Sequence, residues 1–234
     1  MLQVEALHTY YGLSHVLQGI SLQVGAGELV ALIGRNGAGK STTLKTIFGI
    51  TPARSGRVVF EGREITHMPT YQIPLLGMCY VPEERRIFPG LSVYENLRIA
   101  LLPHKKRLDL SSEMERVFGF FPRLRERCKQ YGKSLSGGEQ QMLAMARGLI
   151  SKPRMMLIDE PTQGLAPAYV RNVVEIITQI KATGVGVLLV EQNAEIALSI
   201  SDRVYVIDHG MIQFEGPSSL VREREDIRRE YLSL

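Results

Sequence analysis

Tryptophan is absent from the 234-residue chain, and cysteine occurs only twice, at Cys79 and Cys128. Two thiols so far apart, without CxxC spacing, argue against a disulfide framework or a cysteine-based zinc site and fit a reducing compartment. No apolar run approaches the ~18 residues that a membrane span requires. The opening MLQVEALHTYYG also lacks the basic start and apolar stretch of a secretory signal. Any membrane role is therefore expected to come through a partner. Charge of one sign is not concentrated either: the formal net charge is +4, with Lys and Arg scattered among acids. Without a basic stripe, composition gives no support to nucleic-acid binding. Lys105, Lys106 and Arg107 read as a solvated loop. Internal repeats, low-complexity tracts and an obvious linker are missing as well.

What remains is an α/β pattern. Leu17, Ile20, Leu22 and Val24 alternate with polar residues, and Val58 and Phe60 lie between Gly56 and Gly62, which predicts antiparallel strands in the opening third. Continuous apolar runs at 29–33, 78–81, 155–158, 187–190 and 204–207 predict buried, mostly parallel strands. Helical stripes fall between them: Leu44, Ile47 and Phe48 after the first run, and Val170, Val173, Val174, Ile177 and Ile180 after Pro167. Residues 92–150 break the rhythm, carrying Leu, Met and Phe at helical spacings, and read as a helical insertion; Met142 and Met145 within it read as core. Leu220, Ile227, Tyr231 and Leu234 predict an amphipathic C-terminal helix over about 217–234.

Three motifs carry chemistry. Gly34, Arg35, Asn36, Gly37, Ala38, Gly39, Lys40 and Ser41 fit the phosphate-loop pattern GxxxxGK[ST] between a predicted strand and helix, with Thr42 in the first helical turn. Glycines aim backbone N–H groups at phosphate oxygens, Lys40 reaches the β and γ phosphates of ATP, and Ser41 ligates Mg²⁺. In the second motif a predicted strand ends in Asp159 and Glu160. Asp159 is positioned to hold the metal's hydration shell. Glu160 is positioned to polarise the attacking water, a general-base contribution of about 10² to 10⁴ in rate. In the third, Leu135, Ser136, Gly137, Gly138, Glu139 and Gln140 open a helix and make a second anion site.

At this point the chain resembles the ABC ATPase family, whose LSGGQ signature is matched with Glu139 in place of the usual Gln. The resemblance covers almost the whole chain and implies a P-loop NTPase (RecA-like) core with an N-terminal antiparallel β-subdomain and an inserted helical subdomain. One domain is expected: a nucleotide-binding core at about 1–91 and 151–216, the signature subdomain at about 92–150, and the C-terminal helix. The resemblance further implies a head-to-tail dimer in which Lys40 and Ser41 of one subunit and Ser136, Gly137, Gly138 and Glu139 of the other grip one ATP. Tyr11 is similar to the family's adenine-stacking aromatic residue.

Three departures from the general family pattern stand out. Glu83 occupies the usual place of a glutamine that contacts Mg²⁺ or water, Gln192 that of a switch histidine, and Ala166 that of a dimer-interface Asp. The amide of Gln192 donates a hydrogen bond but does not titrate. VPEERRIFP, DEPTQGLAP and VEQN together resemble the ATPases of branched-chain amino acid importers, with urea and short-amide importers close behind. That resemblance implies two membrane-spanning permease subunits, a second ABC ATPase subunit and, indirectly, an extracytoplasmic solute-binding protein. It also implies a peripheral location on the cytoplasmic face of the inner membrane. The surface from Arg86 through Leu97, with Ile87, Phe88, Leu91 and Val93, is the expected dock for a membrane-subunit helix. Three other readings carry less. A non-transport ABC ATPase calls for a long coiled-coil insertion or two nucleotide domains, a P-loop kinase has no use for LSGGE, and an inactive interaction module would not keep Lys40, Ser41, Asp159 and Glu160.

Overall fold

In the computed structural model, which describes residues 1–104 and 108–223, the alternating residues of the first third form a four-stranded antiparallel sheet. Its order is β2-β1-β4-β5, from β1 (Leu2–Tyr11), β2 (Ser14–Val24), β4 (Ser55–Phe60) and β5 (Arg63–Glu64). Sequence reading did not single out β1. Its buried residues Leu2, Val4, Leu7 and Thr9 change phase where the register slips between Val4 and Leu7, at a left-handed Ala6 (φ 43°), so the period-2 signal is broken.

The apolar runs build a second sheet from β3 (Leu29–Ile33), β6 (Met78–Val81), β7 (Met155–Asp159), β8 (Gly186–Glu191), β9 (Arg203–Asp208) and β10 (Met211–Pro217). The order is β10-β9-β3-β8-β7-β6, parallel throughout except for β10 on β9. Every residue of β3, β7 and β8 is buried, as parallel strands covered on both faces require. One face, through Leu32, Leu157, Leu188 and Val190, packs with the antiparallel sheet and with Leu44 and Ile47 of α1 (Lys40–Ile47). The other, through Met156, Ile158, Val187 and Leu189, meets α6 (Pro167–Ala182) and the helical insertion. Ala31, Ile33, Val204 and Val206 are covered by α7 (Ala194–Ile200) and by Val221 of α8 (Ser218–Glu223).

The insertion holds α2 (Val93–Leu101), α3 (Leu110–Phe120), α4 (Pro122–Glu126) and α5 (Gly137–Leu149). Capping boxes start α2, through Ser92 and Glu95, and α5, through Ser136 and Glu139. Met142 and Met145 are core, and burial pushes the Cys79 thiol up to about 12, which leaves it unreactive. Of the expected docking surface, Val93 and Leu97 are fully buried, because α2 turns them toward the core, whereas Phe88 is exposed. In α8 Val221 points inward and Leu220 outward, so the stripe expected from Leu220 starts one residue out of phase. Ile227, Tyr231, Leu234 and the cluster at 105–107 lie outside the described residues.

Candidate nucleotide site

Four loops leave the carboxyl ends of adjacent parallel strands, after β3, β6, β7 and β8, and converge on one edge of the sheet, where α/β folds place their ligands. The first runs from Gly34 to Gly39. A Cβ on Gly34 would lie 2.1 Å from the Ile207 carbonyl oxygen, so only glycine lets the chain leave β3 along this path. Gly39, at φ 109°, is the N-cap of α1 and offers no side-chain cap, so the first-turn N–H groups face outward with their positive dipole end. Lys40 is buried, and its Nζ donates to the Gly34 carbonyl (3.0 Å) and the Arg35 carbonyl (3.2 Å) and lies 3.3 Å from Glu160 Oε1. Ser41 Oγ donates to Asp159 Oδ1 at 2.9 Å. Tyr80 donates its hydroxyl to the other oxygen, Oδ2, also at 2.9 Å.

Acid crowding dominates the electrostatics. Burial raises the Asp159 carboxyl above the usual aspartate range and Glu160 adds to it, although the bonds from Ser41 and Tyr80 pull the other way. Exposed Glu83 is also raised, by partial burial and then by Glu160 and Asp159. Burial, and after it the Asp159 charge, lifts the Tyr80 phenol well above its ordinary value. Glu160 itself sits at φ 43°, a left-handed conformation costing about 1–3 kcal/mol for a non-glycine residue. Its N–H donates to the Val190 carbonyl at 2.9 Å, which ties the strained residue to β8. A buried cation, free helix-start amides, a hydroxyl and carboxylates in one place suit a triphosphate with a hard divalent cation, which takes oxygen ligands.

Gln192 is exposed just past β8 and shares an open cleft of about 650 Å³ with Glu160, Thr162, Gly164 and Asn193. Its neighbour Glu191 was not picked out by sequence reading. That carboxylate is buried, is raised by burial, and accepts from Thr162 N (3.2 Å) and Thr162 Oγ1 (2.7 Å), pinning the loop after Glu160. Tyr80 and Glu191 were recognisable only as strand-end polar residues; their partners depend on β7 lying between β6 and β8. The half-exposed ring of Tyr11 ends β1, with its hydroxyl 3.1 Å from Thr51 Oγ1.

The second anion site stands apart on α5. Ser136 and Gly137 are exposed and Gly138 is buried. Glu139, expected among the nucleotide contacts, turns inward instead: it accepts from Ser136 N at 2.9 Å in the capping box and pairs with Arg127. The third helical position dictates this, since its side chain reaches back to its own N-cap. Among the described residues, no hydrogen bond or ion pair joins Ser136, Gly137 or Gly138 to Lys40, Ser41, Asp159 or Glu160.

Residues 17–163 match the family described as ABC transporter. The chain is 44% identical over 232 residues to the high-affinity branched-chain amino acid transport ATP-binding protein BraG of Pseudomonas aeruginosa, covering 99% of both chains. To the probable branched-chain amino acid transport ATP-binding protein LivF of Archaeoglobus fulgidus it is 36% identical, covering 98% of this chain and 97% of the relative. A solved structure of an ATP-binding subunit of an ABC transporter superposes with a TM-score of 0.85 at 28% identity, over 100% of this chain and 96% of the other. The chain belongs to the ABC transporter family, as one of its ATP-binding, ATP-hydrolysing members. Among the described residues no helix is long and apolar enough to cross a membrane.

Proposed function

We propose that this chain powers an importer for branched-chain or chemically related amino acids, hydrolysing ATP at the cytoplasmic face of the membrane for two permease subunits. The pairing of Lys40 with Glu160 and of Ser41 with Asp159 at one sheet edge carries this reading. The full-length likeness to BraG and LivF supports the solute class. In this reading the core is about 1–91 and 151–216, the signature subdomain about 92–150, and the tail about 217–234.

ATP enters the cradle of residues 34–42 and draws Lys40 onto its phosphates, which releases Glu160 to polarise water. Mg²⁺ would be held by Ser41 and the Asp159 side, with Glu83 near its hydration shell; when bound it neutralises phosphate charge. Gln192 donates its amide to the γ-phosphate and Tyr11 stacks on adenine. A second ATPase subunit, an identical copy or a relative, presents Ser136, Gly137 and Gly138 to the same γ-phosphate head to tail. That arrangement gives each chain's second anion site a ligand. The permease docks at a groove of about 430 Å³ lined by Phe48, Tyr80, Pro82, Arg86, Phe88 and Ile99.

Glu160→Gln tests the chemistry. Phosphate release is expected to fall at least about 100-fold, while ATP binding persists and a dimer accumulates in MgATP. Turnover near the parental rate would refute Glu160 as the base.

A further inference from the structure

Tyr169 lies three residues into α6, packed against the glycine-rich start of α5. A Cβ placed on Gly138 would stand 2.3 Å from Tyr169 Cδ1 and 2.4 Å from Cγ, so the phenol ring occupies the space that the missing side chain leaves. Its hydroxyl is 3.2 Å from Ser136 Oγ, which donates to it. The same Oγ accepts from Glu139 N at 3.4 Å, a long bond that alone holds the serine loosely. The direction of α6 is fixed by Pro167 in its first turn, and Tyr169 N donates to the Ala166 carbonyl at 2.9 Å.

We propose that Tyr169 is a positioning residue for the signature serine, holding the Ser136 hydroxyl in place and freeing it to donate a hydrogen bond to the γ-phosphate carried by the second copy. A phenol both accepts and donates. In the structure it accepts a hydrogen bond from Ser136. When a phosphate oxygen arrives, the two hydroxyls reverse: Tyr169 donates to Ser136 Oγ, and Ser136 donates to phosphate. No proton is transferred; two hydroxyl rotors turn. The phenol then polarises the serine O–H in a chain of two hydrogen bonds, which strengthens the outer one. Neither sheet edge nor cradle contributes to this contact, so the effect is confined to the subsite offered to the other subunit. The proposal rests on the head-to-tail arrangement above.

Tyr169→Phe keeps the ring over Gly138 and removes only the hydroxyl. The full chain carrying Glu160→Gln provides a dimerisation assay that needs no turnover, read by light scattering against MgATP concentration. Tyr169→Phe is expected to raise the ATP concentration for half-dimerisation by about 2- to 10-fold, the span of one hydrogen bond. The melting temperature and nucleotide affinity of the monomer stay as in the parent. In a Ser136→Ala background the Tyr169→Phe effect vanishes, because the group it positions is gone. A full Tyr169→Phe effect persisting without Ser136, or none in its presence, overturns the proposal alone. The absence of an MgATP-dependent dimer, or a dimer indifferent to Ser136→Ala, overturns the head-to-tail reading beneath it.

Discussion

Burial beside Glu160 gives Asp159 a carboxyl that holds its proton to higher pH than an unfolded aspartate does. The folded chain thus binds that proton more tightly than the unfolded one. This group's contribution to stability is most favourable below the ordinary aspartate value, about pH 4, and is lost as pH rises through the raised one. Glu113 acts in the opposite sense: burial raises it, but hydrogen bonds from Lys152 and Arg116 outweigh that and hold it low, so its contribution is lost as pH falls. The difference between the parent and Asp159→Asn isolates the first effect. In the nucleotide-free chain the variant is expected to melt with the parent near pH 4 and above it near pH 7, while hydrolysis falls. A gap that shrinks toward neutral pH, followed by scanning calorimetry, would contradict the assignment. Lys40 and Ser41, and likewise Asp159 and Glu160, were legible in the sequence because each pair stands in a local motif at the end of a predicted strand, although the Ser41–Asp159 bond spans 118 positions. Tyr80 was not, because it meets Asp159 only through the β6–β7 pairing, a contact 79 positions apart.

Loops become precise here by being tied to a neighbouring strand or helix. Thr162 and buried Glu191 bind the loop after β7 to the end of β8. Thr162→Val keeps the shape but strips the carboxylate of its shorter bond, and about 1–3 kcal/mol of stability is expected to be lost, measured by urea unfolding. Asn96 plays the matching part after β6. Fully buried, it accepts from Phe88 N at 2.9 Å and donates to the Phe88 carbonyl at 3.0 Å and the Leu91 carbonyl at 3.2 Å. That holds the segment from Phe88 to Leu91, just beyond the turn in which Arg85 and Arg86 both take positive φ. Asn96→Ala is expected to leave nucleotide affinity of the isolated chain unchanged and to lower ATPase stimulation by the permease. Equal stimulation in reconstituted vesicles would show that the segment does not need this clamp. Parallel strands and long helices were readable at this scale because each carries its own period. The bulged β1 and the half-buried edge strand β10 were not, since a register slip and an alternation of exposed with partly buried residues leave little contrast.

The whole molecule presents two unlike surfaces, one polar and acidic at the nucleotide edge, the other apolar beside it. Phe88 and Ile99 are exposed on the second, around a groove whose wall includes Tyr80, the same side chain that bonds Asp159. One residue thus touches both the groove and the Asp159 carboxylate, so on the docking proposed above a permease helix would lie one side chain away from the site. Phe88 also stacks on the Arg147 guanidinium, 4.7 Å from the ring centroid, and Arg147 donates to the Arg86 carbonyl at 2.5 Å. Phe88→Asp replaces an apolar contact with an acid that Arg147 can pair, so the fold tolerates it while an apolar helix meets a desolvated charge. The isolated variant is expected to bind and hydrolyse ATP at the parental basal rate, to lose co-purification with the permease subunits, and to reduce solute uptake at least about tenfold. Uptake at the parental level, with the variant present in the complex at full stoichiometry, would place the docking face elsewhere on the molecule.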